Sequence, residues 1–563
     1  MTQMKILVLL TVLCSALALP GAADTSERWP PGKWRAELSR ERFTSVTQTT
    51  HYITAADGTQ LSLTVHLPVG LPAEERIPTL LQLTPYTNSG DANNVFFVRR
   101  GAAYVQADAR GTDGSEGCLD FGGSADQSDA RVIAAWIRTQ PWSNGRIVAD
   151  GISHPGMGSV VAHAAVPGLT GALAHAPVVS YYQDEWLQGA KFEDQLNGPL
   201  YQATELEPPS PVEQLEDLEA VKAQAAACTG KTALDFTPID GPFSPLWADR
   251  DLSRNITTGD APILLTHGFA DMNVHPDHSQ MYWDALPDDA PKHAIFGWWY
   301  HGWPDMRRHP FRPFADIRHR WMDRLLFGQS NGLEFEPRVL VQDSLAQWHE
   351  GHDWPLEQSE AVVLRPAADG SLASATPPDG TMAYTDAAGA ERKNWTGAHV
   401  VFRTEPLKAD RLINGAPELD LVASSNVDQT KWVAYLFAES PQGQRQRVTH
   451  GYADSHTWDG ESSWTAMTPG MKYRWTLKLQ PTAVVVPAGH RLALVVASQD
   501  SRRVADPRSN LCMDDYRGGC YNPSGIAPSA TVGRAVNTVQ VGAQGSALRL
   551  HWVDPALTAK PPW

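Results

Sequence analysis

The sequence predicts two units in series, an α/β unit whose mostly parallel sheet carries helices on both faces, then an all-β unit. Three observations carry this expectation. At 563 residues the chain exceeds a single hydrophobic core, which stops growing near roughly 250–300 residues, so two large domains are expected. Up to Glu336, short apolar runs rich in β-branched residues alternate with segments of helical periodicity, the pattern of a parallel sheet. Beyond Glu336 helical periodicity nearly disappears, and alternating runs such as Val433–Phe437 and Arg491–Ala497 are separated by Gly, Pro, Asp and Asn turns, as in a sandwich or jelly roll.

Residues 1–23 stand apart from both units. Lys5 precedes the apolar run Ile6–Ala18, and Pro20-Gly21-Ala22-Ala23 follows it. The run is too short to span a membrane and reads as a secretory signal processed near Ala23, which predicts a secreted or periplasmic protein with no membrane span. Leu13 precedes Cys14 where a lipid-attachment site wants a small residue, so a soluble exported protein is expected in preference to an anchored one. The remaining cysteines, Cys118, Cys228, Cys512 and Cys520, form an even set suited to an oxidising compartment. With 46 Lys+Arg against 63 Asp+Glu the net charge is -17, which argues against a nucleic-acid partner. Hydrophobic content of 42% and 19% charged residues describe a globular protein.

The first unit, residues 24–336, opens with the alternating runs Thr47–Thr54 and Leu61–Leu67 around Asp57-Gly58, a hairpin signal. Pro78–Leu83 is a buried-type strand that stops at Thr84-Pro85-Tyr86, and Ala102–Ala107 is another, ending in the polar loop Asp108–Gly117. Between Asp129 and Gln140, residues Val132, Ile133, Trp136 and Ile137 share one helical face, and Pro141 ends the helix. Over about 181–250 the alternation breaks into acidic, amphipathic segments such as Asp184–Phe192 and Val212–Val221, which suit a helical cap inserted over the sheet's edge. The sheet resumes at Pro262–Thr266, followed by His267–Asp271, and again at His293–Phe296, followed by Gly297–Trp303. Ligands of such sheets bind beyond the carboxyl ends of the strands.

One stretch carries chemistry. Arg146–Asp150 is a β-branched run, Gly151-Ile152-Ser153-His154-Pro155-Gly156-Met157-Gly158 follows at once, and small residues and Val then repeat at helical spacing. This reads as strand, tight turn, helix, with Ser153 at the apex and glycines where backbone and helix pass closely. Pro155 suits a first helical turn, and the His154 N–H is placed to meet a developing oxyanion. A serine nucleophile needs a base and a carboxylate that fixes the base's tautomer, and in this arrangement they follow in the order serine, acid, histidine. Ser153, Asp271 and His301 satisfy that order, with Asp277 and His267 as rivals for the acid and base. No Cys-x-x-Cys or His-Glu-x-x-His occurs, so neither metal nor cofactor is expected, and His275 and His278 read as surface loop residues.

Taken together, Thr84-Pro85-Tyr86, Arg110–Gly117, Gln140–Arg146, Gly151-Ile152-Ser153, Gly268-Phe269-Ala270-Asp271 and Trp299-Tyr300-His301-Gly302 resemble the family of cocaine esterase, the α-amino-acid ester hydrolases, glutaryl acylases and X-Pro dipeptidyl-peptidases. The resemblance continues through Trp348, Trp354-Pro355 and Leu479–Leu492, so it covers nearly the whole chain after the signal. It implies an α/β-hydrolase domain with an inserted helical cap and, over 337–563, a jelly-roll (galactose-binding-like) domain that walls the site and offers surface for homo-oligomer contacts. It also implies Ser153 as nucleophile, His301 as base, Asp271 as its orienter, and an oxyanion hole made by the His154 N–H and the Tyr86 hydroxyl. Arg110–Gly117 becomes a structural loop beside the site. The chain departs from the family at His154, where a Tyr usually follows the nucleophile.

The function expected is that of a secreted serine hydrolase acting through an acyl-enzyme on the ester or amide bond of a small acyl or aminoacyl substrate or short peptide. The alternatives are an X-Pro-type dipeptidyl aminopeptidase and a glycan-binding protein with an inert hydrolase half. Asp184, Glu185, Glu193 and Asp194 read as solvated helix faces, the alternative being a site for a substrate's α-amine.

Overall fold

Ten strands in one sheet organise the first unit of the computed structural model, which describes residues 38–86, 92–191, 242–271, 273–304, 314–333, 336–386, 399–498, 513–514, 520–521 and 533–559. The secretory-signal reading of 1–23 and the helix expected at Val212–Val221 lie outside the described residues. Strands β1 (Val46–Thr54) and β2 (Gln60–Pro68) form the expected hairpin, closed by Ala55 N–H to the Thr59 carbonyl at 2.8 Å, with Gly58 at φ 95°. There follow β3 (Ile77–Thr84), β4 (Ala103–Asp108), β5 (Ser143–Ile152) and β6 (Gly171–His175). A short hairpin, β7 (Trp186–Leu187) and β8 (Ala190–Lys191), precedes β9 (Ile263–Gly268) and β10 (Lys292–Gly297). The sheet order is β1-β2-β4-β3-β5-β6-β9-β10, and every neighbouring pair from β4 to β10 is parallel.

Strand alternation distributes the side chains between two cores. Leu81, Val105, Ala149, Ala174, Leu265 and Phe296 pack with helices α2 (Ser124–Thr139) and α3 (His154–Ala165). Their strand neighbours Leu80, Tyr104, Val148, Leu173, Leu264 and Ile295 face the opposite side, toward Phe97 of α1 (Ala92–Val98) and Ile317 and Trp321. The segment after β6 contains α4 (Tyr181–Glu185), the β7–β8 hairpin and α5 (Pro245–Asp249). Helix α6 (Asp277–Ala285) joins β9 to β10, and α7 (Phe314–Leu325) follows β10. No helix among the described residues is long and apolar enough to cross a membrane.

The first sheet runs on past residue 336, where the sequence places the start of the second unit. Val339–Gln342, strand β11, pairs in parallel with β10, and Trp348–Gly351, strand β12, pairs antiparallel with β11. An edge strand arriving after the last helix has the same texture as a strand of an all-β unit, and only its pairing tells them apart. The β-rich unit proper begins near Glu360 and, among the described residues, is built mainly of two antiparallel sheets, an eight-stranded one around Arg411–Ser425 and a four-stranded one that includes Lys431–Glu439 and Arg491–Ala497, with Met513–Asp514 and Cys520–Tyr521 pairing separately. Leu419 and Leu421 of the first meet Leu436, Leu494 and Val496 of the second in one core.

Close approach between α3 and the sheet depends on glycine. A methyl on Gly156 would stand 2.6 Å from the His175 carbonyl oxygen, and one on Gly158 would stand 2.6 Å from that of Leu83. Neither neighbour can move, because both belong to paired strands or their ends. Gly158→Ala is therefore expected to destabilise the first unit by about 1–3 kcal/mol, the usual cost of overpacking, seen as a lower denaturant midpoint. An unchanged midpoint would mean that α3 has room to withdraw.

Candidate active site

Ser153 stands between β5 and α3 with φ 62° and ψ -126°, a left-handed conformation that is uncommon for a residue with a Cβ. Such strain costs on the order of 1–3 kcal/mol and persists only where the surroundings over-determine it. Here the Ser153 N–H donates to the His175 carbonyl at 2.9 Å, and the Ser153 carbonyl accepts from Met157 N–H at 2.9 Å. Gly151 permits the turn because a methyl there would strike the Pro155 carbonyl. The half-buried serine is thereby held at the carboxyl edge of the sheet, where ligands of open α/β sheets bind.

Asp271 and His301 reach the same edge from β9 and β10. Their loops are tied together by Phe269 N–H to the Gly297 carbonyl at 2.7 Å and Ala270 N–H to the Trp299 carbonyl at 3.2 Å. Gly268 is required there, since a methyl would strike the Trp299 carbonyl. His301 Nδ1 lies 2.8 Å from Asp271 Oδ2, so the ring proton sits on Nδ1 and Nε2 is the basic atom of the neutral ring. Asp271 is fully buried, and its Oδ1 accepts from the Asn273 and Val274 N–H groups at 3.0 Å each. Burial would raise its carboxyl, but the His301 charge and hydrogen bonds from His267 and His301 hold it well below the usual carboxylate range. Burial lowers His301, and the Asp271 charge and hydrogen bond outweigh it, so the imidazole lies above its ordinary value.

Of the two rivals, His267 is buried behind the acid, with Nε2 3.5 Å from Asp271 Oδ2 and 2.9 Å from the Val274 carbonyl, and Nδ1 2.7 Å from Ser279 Oγ. It supports Asp271 in place of taking His301's position. Asp277 begins α6, and its N–H donates to Gln480 Oε1 at 3.3 Å, away from the pair.

Tyr86 follows β3, its N–H donating to Thr84 Oγ1 at 3.1 Å, and its ring meets that of His154 edge-on at 6.2 Å. His154 is buried, which drops its imidazole to about 3, so the residue replacing the expected Tyr is a neutral ring between Tyr86 and Phe121. Its N–H is the first of α3, adjoining Ser153. Arg110 forks onto Asp129 with two hydrogen bonds of 2.8 Å and reaches Asp57 at 3.0 Å, which pins the Asp108–Gly117 loop. Cys118, just past it, is disulfide-bonded.

Two sequence readings need correction. Asp184 and Glu185 are not solvated but buried, at 7% and 2% exposure, because α4 is flanked by Tyr181, Tyr182, Trp186 and Leu187, all buried. Those apolar neighbours are the signal that sequence patterning missed. Burial, with the Asp184 charge beside it and Lys191 opposing, pushes the Glu185 carboxyl up to about 8. Likewise His275 and His278 are buried, at 1% and 0%. His278 Nε2 lies 3.5 Å from Asp184 Oδ1, and the Asp184 charge also acts through space on His301. Glu193 and Asp194 lie outside the described residues.

Two family models match the chain, X-Pro dipeptidyl-peptidase (S15 family) over residues 57–303 and the X-Pro dipeptidyl-peptidase C-terminal non-catalytic domain over 331–544. A putative Xaa-Pro dipeptidyl-peptidase of Streptomyces avermitilis is 27% identical over 537 residues, covering 82% of this chain and 76% of its own. One from Bacillus anthracis is 23% identical over 458 residues, covering 76% and 74%. An aminopeptidase from a marine sediment archaeon, Thaumarchaeota archaeon, superposes with a TM-score of 0.68 at 19% identity, covering 91% of this chain and 98% of that one. A CocE/NonD family hydrolase from Staphylococcus aureus does so at 0.69 and 15% identity, covering 90% and 94%. These structural likenesses show the α/β-hydrolase fold.

Asp271→Asn removes the charge that outweighs burial at His301. In the unaltered protein the imidazole is expected to titrate above the ordinary histidine value of about 6.5, and in the variant below it. NMR titration of the ring measures both, and an unmoved midpoint would mean that another group sets it.

Proposed function

Because the chain belongs to the X-Pro dipeptidyl-peptidase (S15) family of serine hydrolases, we propose that Ser153, His301 and Asp271 are its catalytic residues. The observation that carries this is the strained serine at the β5–α3 elbow, with a buried carboxylate–imidazole couple at the same sheet edge. In the reaction, His301 Nε2 takes the Ser153 proton as Oγ attacks an ester or amide carbonyl. The tetrahedral oxyanion is met by the His154 N–H and the Tyr86 hydroxyl. The proton then passes to the leaving alcohol or amine, and water, activated by the same imidazole, releases the acyl group. Asp271 stays ionised throughout and stabilises the imidazolium.

The substrate we infer is an aminoacyl ester or amide with a free amine. The buried Asp184 charge, which acts on His301, and the adjoining Glu185 support this, since an ammonium group near the site would meet at least one carboxylate. The narrower reading, release of an N-terminal Xaa-Pro dipeptide, is favoured by the names of the Streptomyces avermitilis and Bacillus anthracis relatives. Export is supported by the apolar run Ile6–Ala18 and by the disulfide at Cys118, a bond that persists outside reducing compartments. The two packed antiparallel sheets support a jelly-roll reading of the C-terminal unit.

Intact mass after fluorophosphonate treatment should show one adduct on the mature protein and none on Ser153→Ala. No adduct on folded protein would leave the inert, glycan-binding reading. Tyr86→Phe should lower kcat about 10²- to 10³-fold, and a rate equal to the unaltered protein would remove the phenol from the oxyanion hole. Acetylating the amine of a cleaved aminoacyl ester should raise KM or abolish turnover. Undiminished cleavage would overturn the free-amine reading.

A further inference from the structure

A buried polar network runs beneath the elbow. Asp150, three residues before Ser153, is 1% exposed, and its Oδ2 accepts from Arg318 Nε at 3.0 Å and from Arg318 Nη2. Asp150 Oδ1 lies 3.2 Å from His175 Nε2, and His175 Nδ1 lies 2.8 Å from Thr266 Oγ1. The carboxylate has no proton to give, so Nε2–H donates to Asp150 and Nδ1 accepts from the Thr266 hydroxyl. This fixes one tautomer of a fully buried ring.

Each member is joined to one part of the site. Asp150 continues into the elbow, and the His175 carbonyl receives the Ser153 N–H at 2.9 Å. Thr266 lies on β9, the strand that leads to Asp271. Trp303, two residues beyond His301, packs its indole on the His175 ring at 4.6 Å and lies 5.5 Å from the Arg318 guanidinium. The nucleophile's backbone, the acid's strand and the base's loop therefore meet on one imidazole.

We propose that His175, fixed between Asp150 and Thr266, is a positioning residue that sets Ser153 against His301. It touches no substrate and acts only through its carbonyl, its two ring hydrogen bonds and its face on Trp303. The Asp150–Arg318 pair is the rigid base of this arrangement, because two guanidinium N–H groups converge on Oδ2 while Oδ1 is held by His175, so the carboxylate has little freedom to tilt in a dry interior. Small displacements matter here, since a misplacement of about 1 Å can cost on the order of 10²-fold in rate.

The proposal rests on Ser153 being the nucleophile, and its test separates the two. In the full mature chain, fluorophosphonate titration counts active sites, and kcat per site and KM are then measured for the unaltered protein, His175→Phe, Thr266→Val and Thr266→Ser. His175→Phe keeps a ring against Trp303 but loses both hydrogen bonds. Thr266→Val removes the hydroxyl at nearly constant volume, and Thr266→Ser retains it. The expected result is a fall in kcat per site of about 10- to 100-fold in His175→Phe. A smaller fall is expected in Thr266→Val, restored in Thr266→Ser, with KM within about two-fold throughout. Should His175→Phe fail to fold, the threonine pair decides alone. Unchanged kcat per site in the folded His175→Phe and Thr266→Val proteins, or equal losses in Thr266→Val and Thr266→Ser, overturns the positioning role while leaving Ser153 in place. Absence of a Ser153-dependent adduct in the unaltered protein overturns both.

Discussion

Everything at the candidate site depends on one backbone conformation, the left-handed φ of Ser153. A residue with a Cβ adopts it only if the chain before and after leaves no alternative. Before it, β5 is locked in register with β6 from Val148 to Ile152, so the strand cannot untwist to relieve the turn. After it, α3 is pressed so close to the sheet that Gly156 and Gly158 lie against the carbonyls of His175 and Leu83. The elbow is strained because the sheet and the helix are both rigid, and that rigidity keeps a hydroxyl at the sheet edge.

Three buried acids show how environment assigns different states to the same group. Asp271 receives two backbone N–H groups and an imidazole, so it remains ionised although fully buried. Asp150 is also held below the usual carboxylate range against the effect of burial, but by a guanidinium and an imidazole, and its task is to hold a neighbour's tautomer. At Glu185 burial is not offset, with Asp184 beside it adding to the effect and Lys191 opposing, and its carboxyl rises to about 8, so near neutral pH it is mostly protonated.

Much of this was legible in the sequence where the signal is local. The β-branched run to Asp150 followed by glycines around Ser153 specifies the elbow, and strand ends at Gly268 and Gly297 place Asp271 and His301 at the same edge. What sequence did not show is held together by long-range contacts. Asp150 and Arg318 are 168 residues apart, and His163, which reads as one more residue on a small-residue helix, bonds Tyr282 across 119. The burial of Asp184, Glu185, His275 and His278 likewise depends on which surfaces close over α4 and α6. Periodicity reports the face a residue occupies on its own element, and says nothing of what arrives to cover it.

The β-rich unit is part of the site's construction as well as its neighbour in the chain. The Trp298 indole, three residues before His301, donates to the Ala483 carbonyl of that unit at 2.6 Å, and Trp354, on the segment leading into it, stacks on Phe269 at 5.9 Å, two residues before Asp271. Leu412, Val485 and Val553 belong to the same apolar core as β9 and β10 residues Leu265 and Phe296. Behind the acid, Arg447, Thr449 and His450 face His275 and Asp271 across a small cavity. The low dielectric that makes the Asp271–His301 hydrogen bond strong is therefore supplied partly by the second unit, since those walls exclude water from the acid. A hydrolase unit separated from it would keep its serine, histidine and aspartate but expose the back of the acid to solvent, where the same pair interacts far more weakly. The second unit thus keeps a core of its own and completes that of the first through Leu412, Val485 and Val553.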